Sequence, residues 1–284
     1  MKLKLFLKLV RFEHALMLAI AVLIGETLVL GGIPLFSHII ILSLLVPIFS
    51  EMGSFALNDY LDIKTDKLNK RLDRPLVTGE ISPIFAYLFG WFSIIISVTL
   101  SYFINFNVFV IALIFNILAI LYNYFLKDLP LVGNFYIALT MAIPFIFGNF
   151  VITNILFPIT IILSLLGFVS GLAREIIKSV QDMEGDLKAR KSKTLPILIG
   201  ESKSRKIASF LYLLFIPLTI LPFYYGLRFN YISAGLIALV DIGLLAMILK
   251  IWHFEYPEVM AEARKSSLIY LFVGLIALLL AVIF

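Results

Sequence analysis

Continuous apolar runs of roughly 20 residues limit most strongly what this chain can fold into. An α-helix needs roughly 20 residues to cross the hydrocarbon core of a bilayer, whereas a membrane-spanning β-strand would alternate in polarity, which these runs do not. The 284-residue chain is 62% apolar and 14% charged, against about 45–50% and about 25% for a soluble domain. The sequence therefore predicts an all-α, polytopic membrane protein. The lack of cysteine excludes thiol catalysis and thiolate metal sites.

Nine such runs can be placed along the chain, and short segments with turn residues separate them. Together they leave no stretch long enough for a separate soluble domain, so we expect residues 1–284 to form one transmembrane domain. The predicted spans lie near residues 12–31, 36–57, 82–104, 107–126, 131–152, 155–178, 206–227, 230–251 and 266–284.

The distribution of basic residues supports this count. Loops alternate between the two sides of a membrane, and with nine spans Arg228 is the one basic residue of 23 that falls on the side opposite the N-terminus. The positive-inside rule then predicts a cytoplasmic N-terminus and an outside C-terminus. The same rule explains the net charge of +5, so we expect no nucleic-acid partner.

Two polar segments, about 58–81 and 179–205, are expected to be long loops on the cytoplasmic side. The first begins with Asn58, Asp62 and Asp66, which are four residues apart and would share one face of a helix. Acids on one ridge repel each other unless a cation lies between them. Oxygen ligands at helical spacing suit a hard divalent cation, and Mg²⁺ binds through a few carboxylates together with substrate phosphates.

The second polar segment carries a similar ridge, formed by Arg174, Lys178, Asp182 and Asp186. The basic residues of this ridge suit the same ligand, because Lys and Arg bind phosphate oxygens. Ordinary solvated charges at helix ends are the alternative. Since both clusters begin at the predicted inner end of a span, we favour a metal–diphosphate site.

A weak internal repeat relates the two clusters. Asn58 and Asp62 precede Asp182 and Asp186 by 124 residues each. This predicts two halves, about 36–152 and 155–284, of four spans each and in the same orientation. Chance similarity between apolar sequences is the alternative.

The two motifs resemble the signatures of the UbiA superfamily of intramembrane prenyltransferases. The first is Asn58-Asp59-x-x-Asp62-x-x-x-Asp66 followed by Asn69, Arg74-Pro75-Leu76, Gly79 and Ile81-Ser82. The second is Lys178…Asp182…Gly185-Asp186 followed by Thr194-Leu195-Pro196. Within the superfamily, the archaeal digeranylgeranylglyceryl phosphate synthases are most similar to the run Arg174-Glu175-Ile176…Asp182-x-Glu184-Gly185-Asp186.

The resemblance implies helices around a central cavity that opens sideways to lipid, and it implies roles for the motif residues. Mg²⁺ and the diphosphate of a polyprenyl donor would be bound by Asn58, Asp62, Asp66, Asp182 and Asp186, of which the four aspartates are the predicted catalytic residues. Diphosphate or phosphate would also contact Arg11, Asn58, Arg74, Tyr122, Lys127, Arg174 and Lys178. Ser179 departs from the family, which often has Asp there, and Glu184 is a possible replacement.

These roles predict a Mg²⁺-dependent transfer of a geranylgeranyl group from its diphosphate to the free hydroxyl of geranylgeranylglyceryl phosphate, a lipid-like acceptor. An aromatic acceptor, as in quinone or haem side-chain synthesis, is the nearest alternative. A cation transporter is disfavoured, because its acids would lie at mid-membrane.

Aromatic faces stabilise cations, and the candidates to stabilise the allylic cation are Phe55, Tyr60, Tyr122 and Tyr124. Two acids within predicted spans, Glu26 and Asp241, are left outside the site.

Overall fold

The computed structural model describes residues 3–35, 37–68, 71–190, 193–254 and 257–284, without the side chains of residues 184, 185, 188–190 and 257. Two residues named from the sequence, Asn69 and the side chain of Glu184, lie outside this description. Within it the chain is helical and contains no β-strand, as the sequence predicts.

Twelve α-helices make up the described part of the chain. Their bounds are α1 Leu3–Val10, α2 Phe12–Leu30, α3 His38–Leu68, α4 Pro83–Tyr102, α5 Phe106–Tyr124, α6 Val132–Ile152, α7 Pro158–Arg190, α8 Leu195–Ile199, α9 Glu201–Leu218, α10 Leu221–Tyr224, α11 Tyr231–His253 and α12 Pro257–Ile283. Nine segments of this described part are long and apolar enough to cross a membrane, with α9 and α10 counted as one. The predicted number of spans is confirmed, and the protein is an integral membrane protein.

Two helices extend well beyond the predicted spans. We expected loops to begin near residues 58 and 179, but α3 continues to Leu68 and α7 to Arg190. Hydropathy falls where each helix leaves the apolar layer, and the span was therefore ended there. Helical hydrogen bonding does not require apolar side chains, so the helix continues into the polar segment. The acids of both motifs thus lie on the ends of rigid helices.

A short amphipathic helix, α1, precedes the first span. Its apolar residues Phe6, Leu9 and Val10 pack into a cluster with Leu76 and Ile81 from the segment between α3 and α4. A break separates α1 from α2 at Arg11, whose backbone is left-handed with φ 45° and ψ 56°. This conformation is uncommon for a residue with a side chain.

Small residues let the spans approach closely around the centre of the protein. Helix α2 crosses α6 where a Cβ added to Gly148 would lie 2.2 Å from the Val22 carbonyl oxygen, and one added to Gly25 would lie 2.5 Å from the Phe145 carbonyl oxygen. Such contacts stabilise helix pairs in lipid, where association depends on close packing. Helix α7 packs against both α6 and α9 and is the most buried of the spans found in the described residues.

Candidate active site

A cavity of about 950 Å³ lies between α2, α3, α6, α7, α9, α11 and α12, near the upper end of the range for small-molecule pockets, about 300–1,000 Å³. Its polar lining comes from the start of α2, α6 and α12 and from the end of α3, α5 and α7. These helix ends share one side of the membrane because consecutive spans alternate in direction. Its wall contains every residue predicted for the site: Arg11, Asn58, Asp62, Asp66, Arg74, Tyr122, Lys127, Arg174, Lys178, Asp182 and Asp186. The roles of these residues stay predictions.

One face of α3 supplies the first acid cluster. Asn58, Asp62 and Asp66 follow one another along the cavity wall, as their four-residue spacing predicts. The ammonium group of Lys127 lies 2.6 Å from the Asp62 Oδ1. Asn58 donates from Nδ2 to the Asn123 Oδ1 at 2.9 Å, so its own Oδ1 is the atom with which it can ligate a cation.

The end of α7 supplies the second cluster. Asp182 and Asp186 line the cavity, and the Arg264 Nη1 from α12 lies 3.4 Å from the Asp182 Oδ1. Two turns closer to the membrane centre, buried Glu175 binds Arg174 at 3.2 Å and Lys178 at 3.0 Å. Three basic side chains therefore lie along this part of α7: Arg264 at Asp182, and Arg174 and Lys178 at Glu175.

Ser179, the position that departs from the related family, also lines the cavity. Its hydroxyl accepts a hydrogen bond from the Asn134 Nδ2 at 2.8 Å and donates one to the Glu175 carbonyl oxygen at 2.9 Å. It therefore connects α6 to α7.

Buried Asp59 links both sides of the cavity entrance. Only 2% of it is exposed, and its Oδ1 accepts from the Arg11 Nη2 at 2.9 Å and from the Arg74 Nη1. The guanidinium carbon of Arg11 also lies 4.1 Å from the centre of the Phe55 ring, a cation–π contact. Arg11, the residue at the left-handed break before α2, therefore has a side chain with two partners, Asp59 and Phe55.

Sequence reasoning missed several residues that line this cavity or contact the basic side chains of its wall. Asp59 lies within the first motif, but its neighbours are distant in sequence. Glu51 and Glu175 lie within predicted spans and were overlooked there, although both line the cavity. Glu51 precedes Asn58 by seven residues, and this two-turn spacing is a signal that could have identified it. No sequence signal identifies Arg264.

Two of the four aromatic candidates were wrong, because Tyr60 and Tyr124 do not line the cavity. The Tyr60 ring packs against Tyr87 with ring centres 5.0 Å apart, and Tyr124 is exposed. Phe55 and Tyr122 do line the cavity, and Tyr122 packs against a further wall residue, Tyr136, also at 5.0 Å.

The two acids left outside the site each have a polar partner of their own. Buried Glu26 accepts a hydrogen bond from Ser43, and Asp241 accepts one from Thr219 at 3.1 Å. Neither acid lines the cavity.

The donor set of the cavity fits a divalent cation bound together with phosphate. Four aspartates reach one lumen, and basic groups at two of them, Lys127 and Arg264, show that these carboxylates attract a cation. No group of three or more acids or histidines that could hold a metal alone is found among the described residues. Mg²⁺ does not need one, because it usually keeps several waters and takes one or two carboxylates plus substrate phosphates.

A second arginine–aspartate pair at the entrance provides a comparison for Asp59. Arg71 donates to Asp73 through two nitrogens, at 3.0 and 3.2 Å, and these hydrogen bonds lower the pKa of Asp73. The Asp73 side chain is 55% exposed, whereas that of Asp59 is 1% exposed.

We expect Asp59→Ala to destabilise the protein much more than Asp73→Ala. Removing one partner of a buried pair costs about 3–5 kcal/mol because a charge is left uncompensated, whereas an exposed pair contributes about 0–1 kcal/mol. Thermal unfolding of both variants in the same detergent measures the difference. Equal decreases in Tm would contradict the structural role given to Asp59.

Comparison with known proteins agrees with the geometry of this cavity. The sequence profile of the UbiA prenyltransferase family matches residues 18–276. The digeranylgeranylglyceryl phosphate synthase of Archaeoglobus fulgidus is 35% identical over 276 residues, which cover 94% of this chain and 92% of the relative. That of Pyrococcus furiosus is 33% identical over 98% of this chain and 97% of its own.

Solved structures show the same fold. One, described as digeranylgeranylglyceryl phosphate synthase in membranes, matches with a TM-score of 0.76 and 30% identity over 99% of both chains. A UbiA homologue from Archaeoglobus fulgidus, bound to GPP and Mg²⁺, matches with a TM-score of 0.66 and 22% identity over 96% of this chain and 99% of its own.

Proposed function

The chain belongs to the UbiA prenyltransferase family, and from this premise we propose that it transfers a geranylgeranyl group from geranylgeranyl diphosphate to the free hydroxyl of geranylgeranylglyceryl phosphate. The product is a precursor of archaeal ether lipids. The observation that carries the proposal is that two acid-bearing helix ends and their basic neighbours line one cavity. The named activity of the relatives supports this choice of substrates. Membership of a prenyltransferase family decides against a cation transporter.

We propose that the donor diphosphate binds at the polar end of the cavity. Asn58 and the four motif aspartates would hold Mg²⁺ there, and the ion would neutralise negative charge on the diphosphate. Basic side chains would bind the remaining phosphate oxygens and stabilise the charge that develops as the carbon–oxygen bond breaks. These side chains are Arg11, Arg74, Lys127, Arg174 and Lys178.

The apolar part of the cavity would hold the prenyl chain and exclude water. Leu163, Leu166 and Phe145 line it on the side of α6 and α7, and Leu275 and Leu278 line it on α12. An allylic cation in contact with water would be hydrolysed, so a dry site favours transfer to the acceptor. The faces of Phe55 and Tyr122 are candidates to stabilise the positive charge.

Transfer forms an ether bond. The bond between the allylic carbon and the diphosphate oxygen breaks, and the acceptor hydroxyl oxygen forms a new bond to that carbon while its proton is released. The acceptor carries its own phosphate, so two phosphorylated groups would meet at the same end of the cavity. The number of basic side chains on the wall supports this, because each phosphate group needs its own cationic partners.

We further propose that the polar end of the cavity faces the cytoplasm, with the N-terminus on that side and the C-terminus outside. The accumulation of basic residues at this end supports this orientation through the positive-inside rule. The internal repeat also remains a proposal. It is supported by the equivalent positions of the two acid clusters at the ends of α3 and α7.

Assay of the purified protein with geranylgeranyl diphosphate and Mg²⁺ tests the choice of acceptor. We expect ether formation with geranylgeranylglyceryl phosphate and little transfer to 4-hydroxybenzoate, because the cavity has cationic groups for a second phosphate. Product analysis by mass spectrometry distinguishes the two. Preferential prenylation of the aromatic acid would contradict the proposal and favour the quinone-type alternative.

Asp62→Asn should reduce kcat by at least about 10²-fold, because it removes a carboxylate charge proposed to bind the Mg²⁺ that neutralises the departing diphosphate. Asp241→Asn is the matched control, since it makes the same change at a membrane acid that does not line the cavity, and it should keep wild-type kcat. Both variants should remain folded in detergent. Undiminished turnover in Asp62→Asn would refute the role given to this carboxylate.

A further inference from the structure

The cavity continues far beyond its polar end. On α7 its wall extends from Asp182 to Leu163, a distance of ~29 Å at 1.5 Å per residue. On α12 the lining residues recur at helical spacing and include Arg264, Leu268, Leu271, Gly274 and Leu278. One face of α12 therefore follows the lumen from the acids to its far end.

The contact between Arg264 and α7 shows how far along the cavity each residue of α12 lies. Arg264 reaches both Gln181 at 3.0 Å and Asp182 at 3.4 Å, so it marks the level of the second acid cluster. Gly274 lies ten residues further along the helix, or ~15 Å. The wall continues past it, because Leu278 also lines the cavity.

Gly274 differs from the other two glycines of the cavity wall. A Cβ added to Gly167 would lie 2.5 Å from the Met141 carbonyl oxygen, and one added to Gly133 would lie 3.1 Å from the Leu126 carbonyl oxygen, so close packing explains both. No atom lies within 4 Å of a Cβ added to Gly274. Glycine in the middle of a helix makes the helix less stable than alanine does, and close helix packing does not explain the glycine at this position.

Resting on the proposed function, we propose that Gly274 sets the length of the donor chain by keeping the lumen open at this level. The distance from the level of the acids to Gly274 is ~15 Å along α12, which is shorter than an extended chain of four isoprene units and longer than one of two units. A side chain at this position would project into the lumen and leave room for the shorter chain alone. Gly274 is thus a specificity-determining residue for geranylgeranyl over shorter allylic diphosphates.

Substitution by Ala, Leu and Phe tests this inference through the ratio of kcat/KM for geranylgeranyl diphosphate to that for geranyl diphosphate. We expect the ratio to fall progressively with side-chain size, and by at least about tenfold in Gly274→Phe. Activity on the short donor should persist, which also shows that each variant is folded.

Gly235→Phe is the matched control. A Cβ there also has no atom within 4 Å, but Gly235 is exposed on α11 and does not line the cavity. The control should keep the wild-type ratio.

An unchanged ratio in the Ala and Leu variants, or equal loss on both donors in a folded Phe variant, would overturn the inference. If the Phe variant does not fold, the Ala and Leu ratios decide. If the wild-type protein transfers a prenyl group from neither donor, the proposed function itself is refuted, so the two failures are distinguishable.

Discussion

Pairing of charges between helices is the interaction on which the entrance of the cavity depends. Charged side chains within a membrane protein are costly unless they have partners. Lys127 pairs with Asp62 of α3, and Arg11 and Arg74 pair with Asp59, so these contacts join separate segments of the chain. Within α7, Arg174 and Lys178 pair with Glu175. The contact between Arg264 and Asp182 adds α12 to this set. The entrance of the cavity is thus connected by charge, while its apolar depth is held by close helix packing.

The same pairs explain how a polar reaction fits inside an apolar protein. Carboxylates and basic groups that bind each other are also the groups that bind a divalent cation and a diphosphate. Exchange of partners when the substrates bind would keep each charge compensated. The apolar remainder of the cavity has the opposite chemistry, and this division matches a donor with a charged head and a long hydrocarbon chain.

Local patterns in the sequence predicted most of the fold and the acids that line the cavity. Apolar runs predicted the number of spans, and the four-residue spacing of Asn58, Asp62 and Asp66 predicted their common face, since both patterns depend on helix geometry alone. The helix ends could not be read in this way, because hydropathy reports the membrane boundary and not the end of hydrogen bonding.

Contacts between distant segments were beyond this kind of reasoning. Asp59 lies beside the predicted ridge, and its partner Arg11 is 48 residues away. Arg264 reaches Asp182 across 82 residues. Gly274 and Gly235 cannot be distinguished by their local sequence, although the structure gives one of them a cavity wall and the other an exposed helix face.

The central claim is that the acids of α3 and α7 act together on one diphosphate. Isothermal titration of the protein with geranylgeranyl S-thiolodiphosphate, an unreactive analogue of the donor, measures this directly. We expect binding to require Mg²⁺, and we expect Asp66→Asn on α3 and Asp186→Asn on α7 each to weaken it by at least about tenfold. Equal affinity for the analogue without a divalent cation, or weaker binding in only one of the two variants, would contradict joint action of the two helices.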